Sequence, residues 1–100
     1  MQAKGHNGQV TLEGEWLTID RRGFGRLGHS KGGKRLRVAA ITGIKMRPAG
    51  KFANGFIAFE TTGHEFSGGL TEATRDDNAV IFTRRQSNGF DELRAMIEAN

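Results

Sequence analysis

The sequence predicts a mainly β domain that is capped by one C-terminal α-helix. A chain of 100 residues has room for one small domain. Its 15 glycines and single proline indicate short elements separated by tight turns. Apolar residues alternate at a period of two through much of the chain and change to helical spacing near its end. Because strands do not alternate with helices, a parallel doubly wound sheet is not expected.

Two strands are predicted at the start of the domain. In residues 8–12 and 16–19, successive side chains would point to opposite faces of a strand, with the aliphatic ones on one face. The Glu13-Gly14 pair between them is a tight-turn signal. Residues 1–7 are predicted to be a flexible N-terminus. The single domain is therefore expected to span residues 8–99.

A loop and five further strands are predicted in the middle of the chain. Residues 22–34 are rich in glycine and bases and lack apolar periodicity, which is typical of a loop. Pro48 ends one strand, and the Asn54-Gly55 turn signal precedes another. The apolar run around residue 80 indicates a strand that is buried on both faces. The five strands are residues 36–38, 41–46, 56–60, 64–66 and 79–83.

The last segment is predicted to be an amphipathic helix. Its start is indicated by Ser87 or Asn88, either of which can cap the first amides, and by acidic residues in the first turn. Three aromatic residues within apolar strands are predicted to lie in the core, namely Trp16, Phe59 and Phe82. The apolar stripe of the helix comprises Phe90, Leu93, Met96 and Ile97.

Several segments share their sequence pattern with a known family. They are Gly8-Gln9-Val10, Trp16-Leu17-Thr18-Ile19, Arg22-Gly23-Phe24, the basic loop, residues 54–59 and residues 75–82. As a set they resemble a bacterial pleckstrin-homology-like (PH-like) domain family of uncharacterised function, over residues 8–98. The resemblance implies a bent seven-stranded antiparallel sheet or barrel that is capped by the C-terminal helix.

The charges are distributed unevenly along the chain. The net charge is +4, but residues 21–59 contain ten bases and no acid. Residues 1–20 sum to −2 and residues 60–100 sum to −4. The sequence therefore predicts one concentrated basic region, which favours an acidic or phosphate-bearing partner.

Two phosphate-loop patterns occur in the basic stretch, and both are rejected. Residues 23–28 match G-x-G-x-x-G, but no helix-forming segment follows to hold a pyrophosphate at its N-terminus. Residues 28–34 match G-x-x-x-x-G-K, but Arg35 replaces the Ser or Thr that ligates Mg²⁺. We interpret the stretch as a hairpin loop.

No catalytic or metal-binding constellation is recognised. The chain has no cysteine, and His6, His29 and His64 do not have metal-ligand spacing. Asp76-Asp77-Asn78 lacks the glycine and glutamate of a calcium loop and is interpreted as a turn. We therefore expect no enzyme activity, no metal and no cofactor.

The basic region is the best candidate for a binding site. Lys31, Lys34 and the Arg35-x-Arg37 pair are similar to the K-x(n)-[K/R]-x-R pattern with which some pleckstrin homology domains hold inositol phosphates. Alternate residues on a strand point the same way, as this pattern requires. The candidate partner- or anion-binding residues are Arg21, Arg22, Phe24, Arg26, Lys31, Lys34, Arg35 and Arg37.

The preferred hypothesis is a non-catalytic interaction module, such as a stand-alone or phage-encoded regulator of a host protein. It would bind a protein partner through the PH-like sheet and the basic region at residues 21–51. Peripheral binding to anionic membrane phosphates through the glycine-rich loop is one alternative, and weak nucleic-acid binding is another. Association of two copies through edge strands is left open. Because the sequence has no apolar run of about 18 residues, we expect a cytoplasmic protein. Peripheral association with the inner membrane face is the alternative.

Overall fold

The computed structural model describes residues 1–21 and 33–99, and this part of the chain contains seven strands and two α-helices. The predicted class, mainly β with a C-terminal helix, is confirmed. Two short 3-10 turns, Val38–Ala40 and Arg84–Gln86, connect elements. The strands are β1 (Gln2–Lys4), β2 (Gly8–Glu13), β3 (Trp16–Arg21), β4 (Lys34–Arg37), β5 (Ile41–Arg47), β6 (Gly55–Thr61) and β7 (Ala79–Phe82), and the helices are α1 (Leu70–Arg75) and α2 (Ser87–Glu98).

The first four strands form an antiparallel sheet, sheet A, in the order β1-β2-β3-β4. Val10 lies opposite Ile19, and Leu12 lies opposite Leu17. All four side chains are buried, because alternate residues of paired antiparallel strands share one face. This face of sheet A forms one wall of the main core.

The last three strands form a second antiparallel sheet, sheet B, in the order β5-β6-β7. Every residue of β7 is buried, which confirms the prediction of a strand covered on both faces. Ile57, Phe59, Val80 and Phe82 belong to the main core, whereas the alternate residues of the same strands, Phe56, Ala58, Ala79 and Ile81, belong to a smaller second core. Sheet B is therefore a central layer with apolar packing on each side.

The second core is closed by α1 and the segment before it, a covering layer that has no periodic signal in the sequence. Ala73 of α1 and Phe66 are buried there, and the Phe66 ring lies 5.3 Å from that of Phe56. The strand predicted at residues 64–66 is wrong: His64 forms only an isolated bridge with Thr61. The chain leaves the sheet at this point because Phe66 turns over the outer face of sheet B.

The N-terminus of α1 is capped by Glu72, whose carboxylate accepts a hydrogen bond of 2.7 Å from the Gly69 amide. This bond lowers the pKa of Glu72, and the residue's own amide and Arg75 act in the same direction. A carboxyl with a lowered pKa in the folded state stabilises the fold above its ordinary pKa and loses that contribution as the pH falls.

Replacing this carboxylate should therefore give a pH-dependent effect. We expect Glu72→Gln to lower the free energy of unfolding slightly at neutral pH, and the difference from the parent protein to shrink as the pH falls below the ordinary pKa of glutamate. Urea unfolding at several pH values measures this. Glu65→Gln, an exposed change outside the helix, is the matched control. A difference that stays constant with pH would contradict the assignment.

The predicted C-terminal helix is confirmed as α2, which packs on the main core. Phe90, Leu93 and Ile97 are buried, and the Phe90 ring stacks on Phe82 with centroids 4.7 Å apart. Met96, expected on the same stripe, is 42% exposed. The apolar stripe of α2 is therefore narrower than predicted.

The N-terminal segment is part of sheet A, contrary to the prediction that residues 1–7 form a flexible N-terminus. Gln2–Lys4 pair with β2, and the Met1 amine donates a hydrogen bond of 2.9 Å to the Leu12 carbonyl. Ala3 is 1% exposed and packs in the main core. The segment was missed because a three-residue strand with one small apolar residue has almost no sequence signal.

The two sheets are not closed into a barrel, which corrects the closed form of the expected fold. The 3-10 turn Val38–Ala40 separates β4 from β5, so each of these strands lies at the edge of its sheet in the described part of the chain. The outer edge of β7 is instead covered, because Ile81 exchanges hydrogen bonds with His6 and Asn7. Among the described residues, the outer edges of β4 and β5 therefore have no partner strand, as is also true of β1, which α2 contacts.

Candidate interaction surface

Four of the eight predicted binding residues lie in the described part of the chain: Arg21, Lys34, Arg35 and Arg37. The other four, Arg22, Phe24, Arg26 and Lys31, lie outside it. Their role in binding stays a prediction.

Arg21 is used within the fold. Its guanidinium donates hydrogen bonds to the carbonyl oxygens of Thr74 and Asp76, at the end of α1. It therefore anchors the end of β3 to the layer that covers sheet B. The sequence could not show this role, because more than fifty residues separate Arg21 from its partners.

Arg35 and Arg37 lie together on the outer face of sheet A, over the ring of Trp16. Their guanidinium carbons are 4.1 Å and 4.5 Å from the ring centroid. We call these three residues the arginine–tryptophan stack. The prediction that Trp16 lies in the core is wrong. Its ring lies on the outer face of sheet A with Thr18, whereas the next residue, Leu17, points into the core.

The stack is cationic and open to solvent. Arg37 forms an ion pair of 3.4 Å with Glu15, and both side chains are more than half exposed. No carboxylate among the described residues forms an ion pair with Arg35. A guanidinium held over an aromatic ring by a cation–π contact still has N–H groups that can bind carboxylate or phosphate oxygens. Lys34, at the start of β4, is also exposed.

A groove of about 810 Å³ runs beside β5, and we call it the β5 groove. Its walls are the β2–β3 turn, the 3-10 turn Val38–Ala40, the first half of β5 and the end of α2. The two turns are joined, since the Val38 amide donates a hydrogen bond of 2.9 Å to the Glu15 carbonyl. The lining residues are predominantly apolar or small and include Val38, Ala39, Ile41, Ile44 and Ile97.

The backbone of β5 directs hydrogen-bonding groups away from the sheet. Phe59 of β6 donates its amide to Asn78, on the β7 side, so it cannot bond to Ile44, the residue opposite it in β5. In an antiparallel pair, a residue that does not hydrogen-bond to the residue opposite it directs its N–H and C=O away from that neighbouring strand. Ile44, and Met46 two positions later, therefore present amide and carbonyl groups at the open edge of β5. Their side chains point inward and are half buried against the core.

The predicted turn at residues 76–78 is present, and it is held by side chains. The Asp76 carboxylate accepts a hydrogen bond of 2.7 Å from the Asn78 amide and contacts His64 Nε2 at 2.9 Å. Within residues 1–21 and 33–99, no three His, Asp or Glu side chains are placed to hold a metal ion. No helix in that part of the chain is long and apolar enough to cross a membrane.

Nearly all of the structural features described above lie within the range of one protein-family match. The family model described as "Domain of unknown function (DUF4429)" matches residues 10–98. The chain belongs to the DUF4429 family. The matched range of this DUF4429 domain begins in β2 and ends at the last residue of α2, so it includes both the arginine–tryptophan stack and the β5 groove. No curated protein and no solved structure matches the chain.

Proposed function

We propose that this DUF4429 domain is a PH-like, non-catalytic interaction module that binds a protein partner. The partner supplies an extended segment, which adds to β5 as a further strand and fills the β5 groove. The observation that carries this proposal is the open edge of β5 above half-buried apolar side chains. An exposed strand edge of this kind is a template for pairing with another chain.

The architecture is consistent with the PH-like part of the proposal. A four-stranded and a three-stranded antiparallel sheet pack around one core, and the C-terminal helix covers that core. The resemblance implies seven antiparallel strands and a C-terminal helical cap, and both are consistent with this arrangement; the division into two sheets, the additional helix α1 and the open edges are not part of the implied fold.

The chemistry of the β5 groove indicates which segment would bind. Hydrogen bonds from Ile44 and Met46 would hold the backbone of the segment, whatever its sequence. Its alternate side chains would enter the groove, whose lining at Val38, Ile41 and Ile97 is apolar. The two acids at the rim are both paired, Glu15 with Arg37 and Glu98 with Arg94. The expected ligand is therefore a strand-forming peptide with alternate apolar residues.

A displayed library of random peptides tests this directly. We expect enrichment of strand-forming sequences with alternate apolar residues. Ala39→Arg should weaken their binding at least about tenfold, because it places a long charged side chain at the groove wall without changing the buried core. Ala95→Arg, an equal change on an exposed position of α2 outside the groove lining, should leave binding unchanged.

Amide hydrogen exchange gives a second readout of strand addition. In the free protein the amides of Ile44 and Met46 should exchange faster than that of Lys45, which points towards β6. An enriched peptide should protect the first two. Absence of enriched peptides, equal binding to both arginine variants, or unchanged exchange at Ile44 and Met46 would each contradict the proposal.

The hypothesis of anionic membrane binding uses Lys34, Arg35 and Arg37 for the lipid phosphates, but the residues expected to insert, Phe24 and Leu27, lie outside the described part of the chain, as does Lys31. It stays a prediction of the sequence.

A further inference from the structure

The outer edge of β4 is also open within the described residues, and its chemistry differs from that of β5. β4 reads Lys34-Arg35-Leu36-Arg37, and its three cationic residues are exposed. Within the described residues, β4 pairs only with β3. A row of like charges prevents two copies of such an edge from pairing with each other, because cations would then face cations.

We propose that β4 and the arginine–tryptophan stack form a second binding site, which takes an extended acidic peptide segment. The alternate carboxylates of the segment contact Arg35 and Arg37, while its backbone runs along the open edge of β4. This site is lined by different residues from the β5 groove, apart from Glu15 at their boundary. It does not depend on the proposed function of that groove.

The spacing of the two arginines fits an extended ligand. Arg35 lies opposite Thr18, and Arg37 lies opposite Trp16, so both guanidinium groups project from the outer face of sheet A. Residues two apart on a strand are separated by about 6.6 Å, since each residue advances the strand by about 3.3 Å. Alternate side chains of an extended peptide have the same separation. Two carboxylates can therefore contact the two arginines at once.

Stacking on Trp16 prepares both guanidinium groups for this contact. Each lies within 4.5 Å of the ring centroid, which restricts its side-chain rotation before any ligand arrives. An ordered guanidinium offers two parallel N–H groups to a carboxylate, and a lysine cannot reproduce this fork. The loss of side-chain freedom on binding is correspondingly small.

A carboxylate already occupies part of the site. Glu15 bonds to Arg37 at 3.4 Å, yet its side chain is 69% exposed, so a ligand carboxylate can exchange with it. Arg35 has no ion pair within the described residues and is open to the second carboxylate. The protein's own contact thus indicates carboxylate as the ligand group.

A synthetic peptide of alternating Thr and Glu, twelve residues long and fluorescently labelled, is the probe. Its binding is measured by fluorescence anisotropy, with alternating Thr-Gln and Thr-Lys peptides as controls. We expect only the Thr-Glu peptide to bind, with an affinity that falls as salt is added. Trp16 is the only tryptophan, and the chain has no tyrosine, so a change in intrinsic fluorescence on binding reports on the stack itself.

Two double variants with the same change in net charge separate the site from general attraction. Arg35→Gln with Arg37→Gln should weaken binding of the Thr-Glu peptide about 5- to 30-fold. Arg84→Gln with Arg85→Gln, at exposed positions of the second 3-10 turn, should have no comparable effect. Arg35→Lys with Arg37→Lys keeps the charge but loses the fork, and we expect an intermediate affinity. Thermal unfolding of each variant checks that the fold is retained.

Several outcomes would overturn the inference. They are no binding of the Thr-Glu peptide, equal losses in the two glutamine variants, full affinity in the lysine variant, and no change in Trp16 fluorescence on binding. Tighter binding of a twelve-nucleotide oligothymidine through Arg35 and Arg37 would assign the site to nucleic acid instead. Ala39→Arg should leave the Thr-Glu peptide bound, so failure of the β5 groove proposal and failure of this one are distinguishable.

Discussion

Phe82→Ala is expected to lower the free energy of unfolding by about 3–5 kcal/mol. The Phe82 ring is fully buried and stacks on Phe90, with 11° between the ring planes, at the contact between sheet B and α2. Truncation removes this contact and leaves a cavity that the two sheets cannot close. Since small domains are stable by about 5–15 kcal/mol, a loss of this size is a large fraction of the total.

Urea unfolding measures the effect, and Phe52→Ala is its matched control. Phe52 is 98% exposed in the β5–β6 turn, so the same chemical change should alter the free energy of unfolding by less than about 0.5 kcal/mol. Similar losses at the two positions would mean that Phe82 does not hold α2 on the core.

Gly55→Ala is expected to cost about 2–3 kcal/mol, because there is no space for a methyl group at this position. A Cβ on Gly55 would lie under 3.0 Å from the carbonyl oxygen of Arg47, the amide nitrogen of Ala49 and Cε1 of Phe82. Two of these atoms are backbone atoms, one at the end of β5 and one in the β5–β6 connection, and they cannot rotate away. The start of β6 would have to move away from β5, which would disturb the pairing of sheet B.

Gly50→Ala is the control for this change, since it lies in the same connection. A Cβ at Gly50 would meet no atom within 4 Å, and its backbone does not require glycine. We expect unchanged stability or a gain of about 0.4–1 kcal/mol, from the lower entropy of the unfolded chain. Thermal and urea unfolding compare the two variants. Equal effects would contradict the close packing at Gly55.

The elements with a strong period in their sequence were predicted well. β2, β3, β5, β6, β7 and α2 all lie where alternation or helical spacing placed them. β1 and α1 were not predicted, because each contains a single small buried residue, Ala3 in β1 and Ala73 in α1. Their positions depend on contacts with segments that are distant in sequence. The Asn54-Gly55 signal marked the correct position, but the structure requires Gly55 for close packing and not for a positive φ.

The candidate site was predicted in part. The acid-free region and the Arg35-x-Arg37 spacing led to two residues that do share one exposed face. Trp16 was missing from that prediction, since an aromatic residue in an apolar strand is more often buried. Arg21 had the same sequence signal as Arg35, but its carbonyl partners near α1 occupy its guanidinium.

The sequence by itself determined which segments form strands or a C-terminal helix, which of their faces are apolar, and where cations are concentrated. These properties repeat locally along the chain, so a short window reveals them. The tertiary structure decided which strands lie at an edge, which cation is used inside the fold, and where a groove opens beside β5. Those properties depend on which distant segments become neighbours, and a period of two specifies the face of a strand but not its neighbour.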